Sequence, residues 1–387
     1  MNAERLILWN RNNKFLGFIC LSICAGILLA GLWPFNFWPE NKVRWLKDQN
    51  GIHFYGRSII YSEKEINNSP SLQRTSTLFK SITIEILVKP DSETFPYPPS
   101  ILSLHDSKTF EALFLQQWQS NLGIQRRILD PNKTWISKNI GLKNVLQKGQ
   151  KRLISITSDE KETSIFVDGK LARAYPYFSL LSSKHNTMSC DLLLLGNSSD
   201  GKQFWIGSLL GLAIYDRALT HEQVLQHFQI WNKKEESFFM NEKDLVALYP
   251  FNERSGNRVY DHKGDRHLLI PSRFEVLQKT ILAPPWKGFR LNRSFLKDIL
   301  TNILGFIPLG FFFSAYLWIR KSRSIYQLLF LSVLFAGSTS LAIELLQVYL
   351  PTRSSQLIDV ITNILGTVIG VILFLKNRKS LGVSRVS

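Results

Sequence analysis

The chain has 387 residues, enough for two or three folding units, and a formal net charge of +17 at pH 7. In a soluble chain such an excess of base points to nucleic acid. Here much of it flanks apolar spans, where it sets membrane orientation instead, so no nucleic-acid partner is expected. Three cysteines, Cys20 and Cys24 inside one apolar run and Cys190 alone, exclude a disulfide framework and a zinc pattern.

The mean hydropathy of -0.03 averages lipid-like ends with a polar middle. From residue 15 to 34 an uncharged apolar run is long enough to cross a hydrocarbon core of ~30 Å at ~1.5 Å per residue. It exits through Trp33-Pro34-Phe35-Asn36-Phe37-Trp38, an interfacial aromatic belt with no small-residue cleavage site, and reads as an uncleaved anchor.

From about Trp45 to Trp231 the pattern changes to short alternating runs. In 81–90, Ile82, Ile84, Ile86 and Val88 share one strand face. Residues 152–157 form another strand, and 163–171 run through Asp168-Gly169, a hairpin signal. Residues 192–196 and 207–215 continue the series, and many short strands of this kind predict an antiparallel sandwich. Thr220 then fits a helix N-cap before an apolar stripe of Val224, Leu225 and Phe228. The histidines read as structural or solvent-facing, and Asp261-His-Lys-Gly-Asp265 as a surface loop rather than a metal site.

Three further spans follow at 298–319, 325–349 and 357–375. With four spans, the basic clusters Arg5/Arg11/Lys14, Arg320/Lys321/Arg323 and Lys376/Arg378/Lys379/Arg385 all fall on one side. The positive-inside rule then places both termini in the cytoplasm and the middle segment outside. The second and fourth spans carry one octet twice, Asp298-Ile-Leu-Thr-Asn302-Ile-Leu-Gly305 and Asp359-Val-Ile-Thr-Asn363-Ile-Leu-Gly366. Asp, Asn and Gly at i, i+4 and i+7 share a helix face. The third span ends in Glu344-Leu-Leu-Gln347, before Pro351-Thr-Arg353. Counting ~1.5 Å per residue puts Asn302, Glu344 and Asn363 at one level, ~9 Å below the outer surface. Asp298, Gln347 and Asp359 lie above them and Arg353 caps the group. Gly305 and Gly366 permit close helix contact below. Acids and amides in hydrocarbon are costly, so Asp298, Asn302, Glu344, Gln347, Arg353, Asp359 and Asn363 are the candidate binding residues. Glu344 is the one candidate for catalysis. Plain alternatives stand beside this: Asp298 and Asp359 as helix-start acids, the asparagines as interhelical glue, and Glu344 as a structural partner of Arg353.

Two resemblances follow. The segments 84–90, 166–170 and 211–220 make the middle resemble a laminin-G-like, concanavalin A-like jelly roll. Residues 245–256 resemble the phrase that opens such a domain although they stand after its end; a late strand of the same sandwich and a remnant of a second module are both open. Trp33-Pro34-Phe35-Asn36, Asp298-x3-Asn302-x3-Phe306-Ile-Pro308-Leu-Gly310, Glu344-x2-Gln347-x3-Pro351-x-Arg353 and Asp359-x3-Asn363-x2-Gly366 resemble the VanZ-like family, named for a glycopeptide-resistance protein associated with teicoplanin.

The expected fold class is multidomain: a four-helix α-helical integral membrane domain with an inserted all-β jelly-roll sandwich. The expected order is a cytoplasmic N-terminus 1–14, helix 15–34, exported sandwich 45–232, accessory strand and linker 233–296, VanZ-like domain 298–375 and cytoplasmic tail 376–387. The VanZ resemblance implies a bacterial envelope membrane protein. The leading expectation is a binder of an envelope lipid or glycan, or a contributor to glycopeptide-type resistance, with a glycan- or protein-binding sandwich outside; its expected partners are membrane lipids, a cell-wall or exopolysaccharide glycan, or a lipoglycopeptide, with no cofactor and no metal. Two other readings remain. One is an enzyme on a lipid-linked substrate, with Glu344 as general acid or base, Asp298 and Asp359 orienting water or holding a metal, and Arg353 holding phosphate. The other is a purely structural anchor for the sandwich. No P-loop, dinucleotide fingerprint, hydrolase elbow or paired-His helix is present.

Overall fold

The computed structural model describes residues 13–63, 77–106, 111–129, 135–181, 188–233, 237–286, 293–320 and 323–379. Of the basic flanks, Arg5, Arg11, Lys321 and Arg385 lie outside the described residues, as do linker residues 287–290. The chain divides into two compact units. One is Pro39–Gln278; the other joins Met1–Trp38 to Lys279–Ser387.

In the first unit the strands are β1 Val43–Trp45, β2 Ile52–Tyr55, β3 Ile60–Ser62, β4 Thr77–Phe79, β5 Ile82–Pro90, β6 Ser100–His105, β7 Ala112–Trp118, β8 Asn121–Leu129 and β9 Trp135–Leu142. They continue as β10 Arg152–Ser158, β11 Glu162–Val167, β12 Lys170–Pro176, β13 Met188–Cys190, β14 Leu192–Leu195, β15 Ile206–Tyr215, β16 Leu245–Tyr249, β17 Arg258–Val259 and β18 Leu268–Leu269. One sheet runs β1-β2-β15-β5-β10-β11-β12 and the other β17-β18-β3-β14-β6-β7-β8-β9; β4 and β13 make a separate pair. Every pairing is antiparallel. The core lies between the two sheets. Ile82, Ile84, Ile86 and Val88 meet Leu102, Leu104, Leu113, Leu115, Leu122 and Ile124 there, as strand alternation requires.

The late phrase finds its place beside β15. β2 pairs with Ile206–Leu209 and β16 with Leu212–Tyr215, so β16 prolongs the row that β2 begins. The Gly51 N–H donates to the Phe251 carbonyl at 2.8 Å across that junction. The Asp168-Gly169 turn joins β11 to β12 with positive φ at both residues, 51° and 77°.

The other face of the first sheet is covered by the segment His221–Lys233. In chain order the helices begin with α1 Asn13–Leu32, α2 His221–Lys233 and α3 Ser237–Met240. Thr220 caps α2: its hydroxyl accepts from the Gln223 N–H at 3.4 Å and the Gln223 side chain accepts from the Thr220 N–H at 3.0 Å. Val224, Ile230 and Trp231 of α2 pack on Leu87, Leu153, Leu210 and Ala213. Only glycine fits at 211, because a Cβ there would meet the Trp231 ring at 2.4 Å. Beneath the helix Glu85 is fully buried. Its carboxylate accepts from Trp231 Nε1 at 3.0 Å and contacts His227 Nδ1 at 3.1 Å. His227 is therefore a packed residue of the interior, and His221 remains exposed. Asp261 is also buried, and it accepts from the Leu248 and Lys263 N–H groups, tying its loop to β16.

The two ends of this unit are neighbours. Glu40 and Arg273 form an antiparallel bridge, and the Phe274 N–H donates to the Pro39 carbonyl at 2.8 Å. Asn41, 3% exposed, donates to the Pro271 and Ile59 carbonyls. Residues 271–274, inside the segment read as accessory strand and linker, are thus packed on the sandwich, with Phe274 buried against Ile59 and Leu194.

The second unit holds α1, α4 Arg293–Arg320, α5 Ile325–Gln347 and α6 Leu357–Asn377. Among the described residues these four are long and apolar enough to cross a membrane. α4 is already helical at Arg293, so Asp298 lies beyond its first turn and does not serve as a helix-start acid; Asp359 does sit in the first turn of α6. A Cβ on Gly366 would stand 2.2 Å from the Ile303 carbonyl oxygen, and one on Gly370 2.2 Å from that of Ile307. The contacts advance in the same order on both helices, so α4 and α6 run parallel at close range. Ser314 and Ser332 pair their hydroxyls at 3.1 Å between α4 and α5. Ser324 and Gln327 form a capping box at the start of α5.

One end of this unit is basic. Leu16 of α1 packs in one cluster with Trp318 of α4, Leu328 of α5 and Phe374 of α6. Lys14, Arg320, Arg323, Lys376, Arg378 and Lys379 belong to the chain ends or turns beside that cluster, and the Arg378 guanidinium lies 4.8 Å from the Trp318 ring centre.

Candidate functional site

The acids gather at the other end. A cavity of about 460 Å³ opens there among α1, α4, α5, α6 and the turn between α5 and α6. Asp298, Asn302, Glu344, Gln347, Arg353, Asp359 and Asn363, all seven of the residues expected from the sequence, line it. The sequence of this unit holds four carboxylates, Glu4, Asp298, Glu344 and Asp359, and the last three line this one cavity.

Each side chain has a definite partner or lack of one. Glu344, 2% exposed, accepts from the Gln356 N–H at 2.7 Å. It thereby serves the opening of α6, where an anion is favoured by the helix dipole. It is held by this backbone group rather than by Arg353. The Arg353 Nε and Nη2 both donate to the Trp33 carbonyl, at 3.2 and 3.0 Å. Gln347 Nε2 donates to the Gly31 carbonyl at 2.8 Å. These two residues therefore satisfy carbonyls left open at the end of α1, a task the helix itself cannot perform. Asn302 Nδ2 donates to Asp359 Oδ1 at 2.9 Å, and Asn363 Nδ2 to Ser340 Oγ at 2.8 Å. The Asn363 Oδ1 is buried with no hydrogen-bond partner.

The two octet glycines differ. Gly366 presses on Ile303 as expected, but Gly305 has nothing within 4 Å of where its Cβ would be, and it lines the cavity. The close helix contact expected of Gly305 is absent: it faces the cavity, to whose lining α1 contributes Ile27, Ala30 and Gly31.

Sequence reasoning missed Gly31, Ser340 and Gln356. Nothing marks Gly31 or Ser340 in an apolar span as partners of a distant amide. Gln356 could have been found, as the polar residue immediately before the last span. Among the described residues no group of three or more His, Cys, Asp or Glu is close enough to hold a metal ion.

An apolar four-helix unit enclosing a polar cavity, with a two-sheet lectin-type sandwich in the same chain, defines a membrane protein with a concanavalin A-like domain. Residues 226–378 match the VanZ/LLP1 family model, and residues 65–225 match that of the concanavalin A-like lectin/glucanases superfamily. Among solved structures, a candidate carbohydrate binding protein from Bacteroides ovatus is similar at 13% identity, with 61% of this chain and 62% of that one covered and a TM-score of 0.37. A SAP-like pentraxin from Limulus polyphemus is similar at 15% identity, with 55% and 94% covered and a TM-score of 0.33. The carbohydrate-binding module of a Ruminococcus gnavus sialidase, bound to α2,3-sialyllactose, is similar at 14% identity, with 39% and 83% covered and a TM-score of 0.30. The chain spans less than two thirds of the Bacteroides ovatus protein, and about half of a botulinum neurotoxin D ligand-binding domain that also matches. No curated protein matches the chain.

Proposed function

We propose that this is a multi-pass envelope protein of the bacterial plasma membrane, with both termini cytoplasmic and the sandwich outside. Its membrane cavity binds an amphipathic envelope ligand, a lipid-linked glycan or a lipoglycopeptide, and its sandwich engages cell-wall or exopolysaccharide glycan. The observation that carries the reading is the gathering of three of the helical unit's four carboxylates around one cavity. Acids among apolar helices are costly and persist where they serve a site. The basic residues at the opposite end support the orientation by the positive-inside rule. On the sandwich, Trp135 is 45% exposed and, with the Arg127 guanidinium over one side of its ring at 4.9 Å, leaves aromatic surface of the kind sugars stack on.

The test uses the full chain in membrane vesicles. Binding to cell-wall fragments that falls on Trp135→Ala, and lower host sensitivity to lipoglycopeptides that is lost on Glu344→Gln at unchanged protein level, are the expected results. Absence of binding to every envelope fraction, together with unchanged sensitivity, would remove the proposal. Reporter fusions placing the sandwich in the cytosol would reverse its topology.

A further inference from the structure

We infer that the cavity takes a cationic, donor-rich headgroup, a primary ammonium or an amino sugar on an amphiphile, and that the hydrocarbon tail leaves past Gly305. This rests on the reading that the cavity binds an amphipathic ligand, and it names that ligand's chemistry.

Three observations carry it. The first is charge. The lining has three carboxylates, Asp298, Glu344 and Asp359, against one guanidinium, and Arg353 spends its Nε and Nη2 on the Trp33 carbonyl. Those bonds leave Arg353 charged but hold it at the end of α1, and with three carboxylates to one guanidinium the lining favours an ammonium over a phosphate.

The second is the balance of donors and acceptors. The amide nitrogens of Asn302, Gln347, Gln356 and Asn363 donate to Asp359, Gly31, Ser354 and Ser340. Acceptors are in surplus: the Asn363 Oδ1 is unpartnered although the residue is only 6% exposed, and each carboxylate has two oxygens to satisfy. A buried acceptor without a donor is unfavourable, so the missing component is a group rich in N–H or O–H.

The third is the exit. The octet is repeated, but its glycines are used differently. Gly366 closes α6 onto α4, with 2.2 Å between its virtual Cβ and the Ile303 oxygen, while Gly305 has open space beside it. Gly305 is itself exposed and lines the cavity, and its neighbours Leu300 and Leu304 are exposed at 57% and 63%. The polar cavity therefore continues into an apolar outer surface at Gly305, the arrangement an amphiphile needs.

The test places the purified full chain in phosphatidylcholine nanodiscs with two photoprobes. They are a dodecylamine and a dodecyl phosphate, each with the same diazirine on the tail. The amine is expected to label α4 or α1 next to Gly305, with the phosphate at least fivefold weaker at the same position. Asp298→Asn, at an exposed position where folding is not at stake, and Glu344→Gln are each expected to lower amine labelling at least threefold. Gly305→Phe is expected to move the label away from this segment. Phosphate labelling equal to or stronger than amine labelling at the cavity overturns the headgroup assignment and leaves the cavity as a lipid site. Labelling by neither probe at any lining residue overturns the cavity reading itself.

Discussion

Asn302 donates to the Asp359 carboxylate at 2.9 Å, so the fifth residue of one octet is bonded to the first residue of the other. The repeat is thus not two copies of a separate motif. It is one cross-helix contact built from both, and it couples α4 to α6 directly under the cavity mouth.

Breaking that contact should be measurable. Asn302→Leu leaves the Asp359 Oδ1 without its donor, with an expected loss of about 1–3 kcal/mol. A double-mutant cycle with Asp359→Asn, followed by thermal unfolding in detergent, should give a coupling energy clearly different from zero. Additive effects would mean that the two residues do not interact.

The octet glycines should respond in opposite ways to alanine. At Gly366 the new Cβ meets a carbonyl oxygen at 2.2 Å, so the helices must separate and the unit should lose several degrees of thermal stability. At Gly305 the methyl enters open space, and Gly305→Ala should be neutral or slightly stabilising, since alanine favours the helix by about 1 kcal/mol over glycine. Equal destabilisation by both substitutions would contradict the observed asymmetry.

Glu85 should be critical to the sandwich. Glu85→Ala strands the buried Trp231 Nε1 and His227 Nδ1 and opens a void under α2, for an expected cost of about 3 kcal/mol. Glu85→Gln retains an acceptor oxygen and should cost less. Urea unfolding of the full chain followed by tryptophan fluorescence would rank the two.

Stability of the sandwich should fall in acid. Burial first, and then the neighbouring Arg127 charge, hold His105 down to about 4 from its ordinary 6.5. An unfolded chain protonates this residue near pH 6.5, while the folded one resists until about pH 4. The contribution is therefore complete above pH 6.5 and is lost as pH falls toward 4, up to about 3 kcal/mol from this residue. Burial lowers His53 as well, in the same sense. Melting temperatures at pH 7.5 and 4.5 should differ less in His105→Gln than in the parent chain.

Much of this was readable from residue order, for a physical reason. The seven cavity residues stood out because polar groups in apolar spans are rare, and period 3.6 placed them on common faces. β5, β10, β11, β14 and β15 were visible because short runs rich in Ile, Leu and Val stand there between turn residues. β6 to β9 were not visible. β8 alternates Leu122 and Ile124 with Gly123 and Gln125, and then brings Arg126 into the inward row, where the residue is 2% exposed and paired to Glu111 at 2.8 Å. A buried arginine in a strand is intelligible only when its partner is known. The roles of Gln347 and Arg353 were hidden likewise, since their acceptors are carbonyls at Gly31 and Trp33, more than 300 residues earlier.

The bridge between Glu40 and Arg273 gives the sandwich a closed seam where the polypeptide comes in and goes out. A segment of some 230 residues that begins and ends at adjoining points behaves, for the rest of the chain, as a loop of nearly zero span. Such a cassette can be gained, lost or exchanged during evolution without stretching the helices on either side. Every residue that lines the polar chamber lies outside that segment, between 27 and 31 or between 295 and 363.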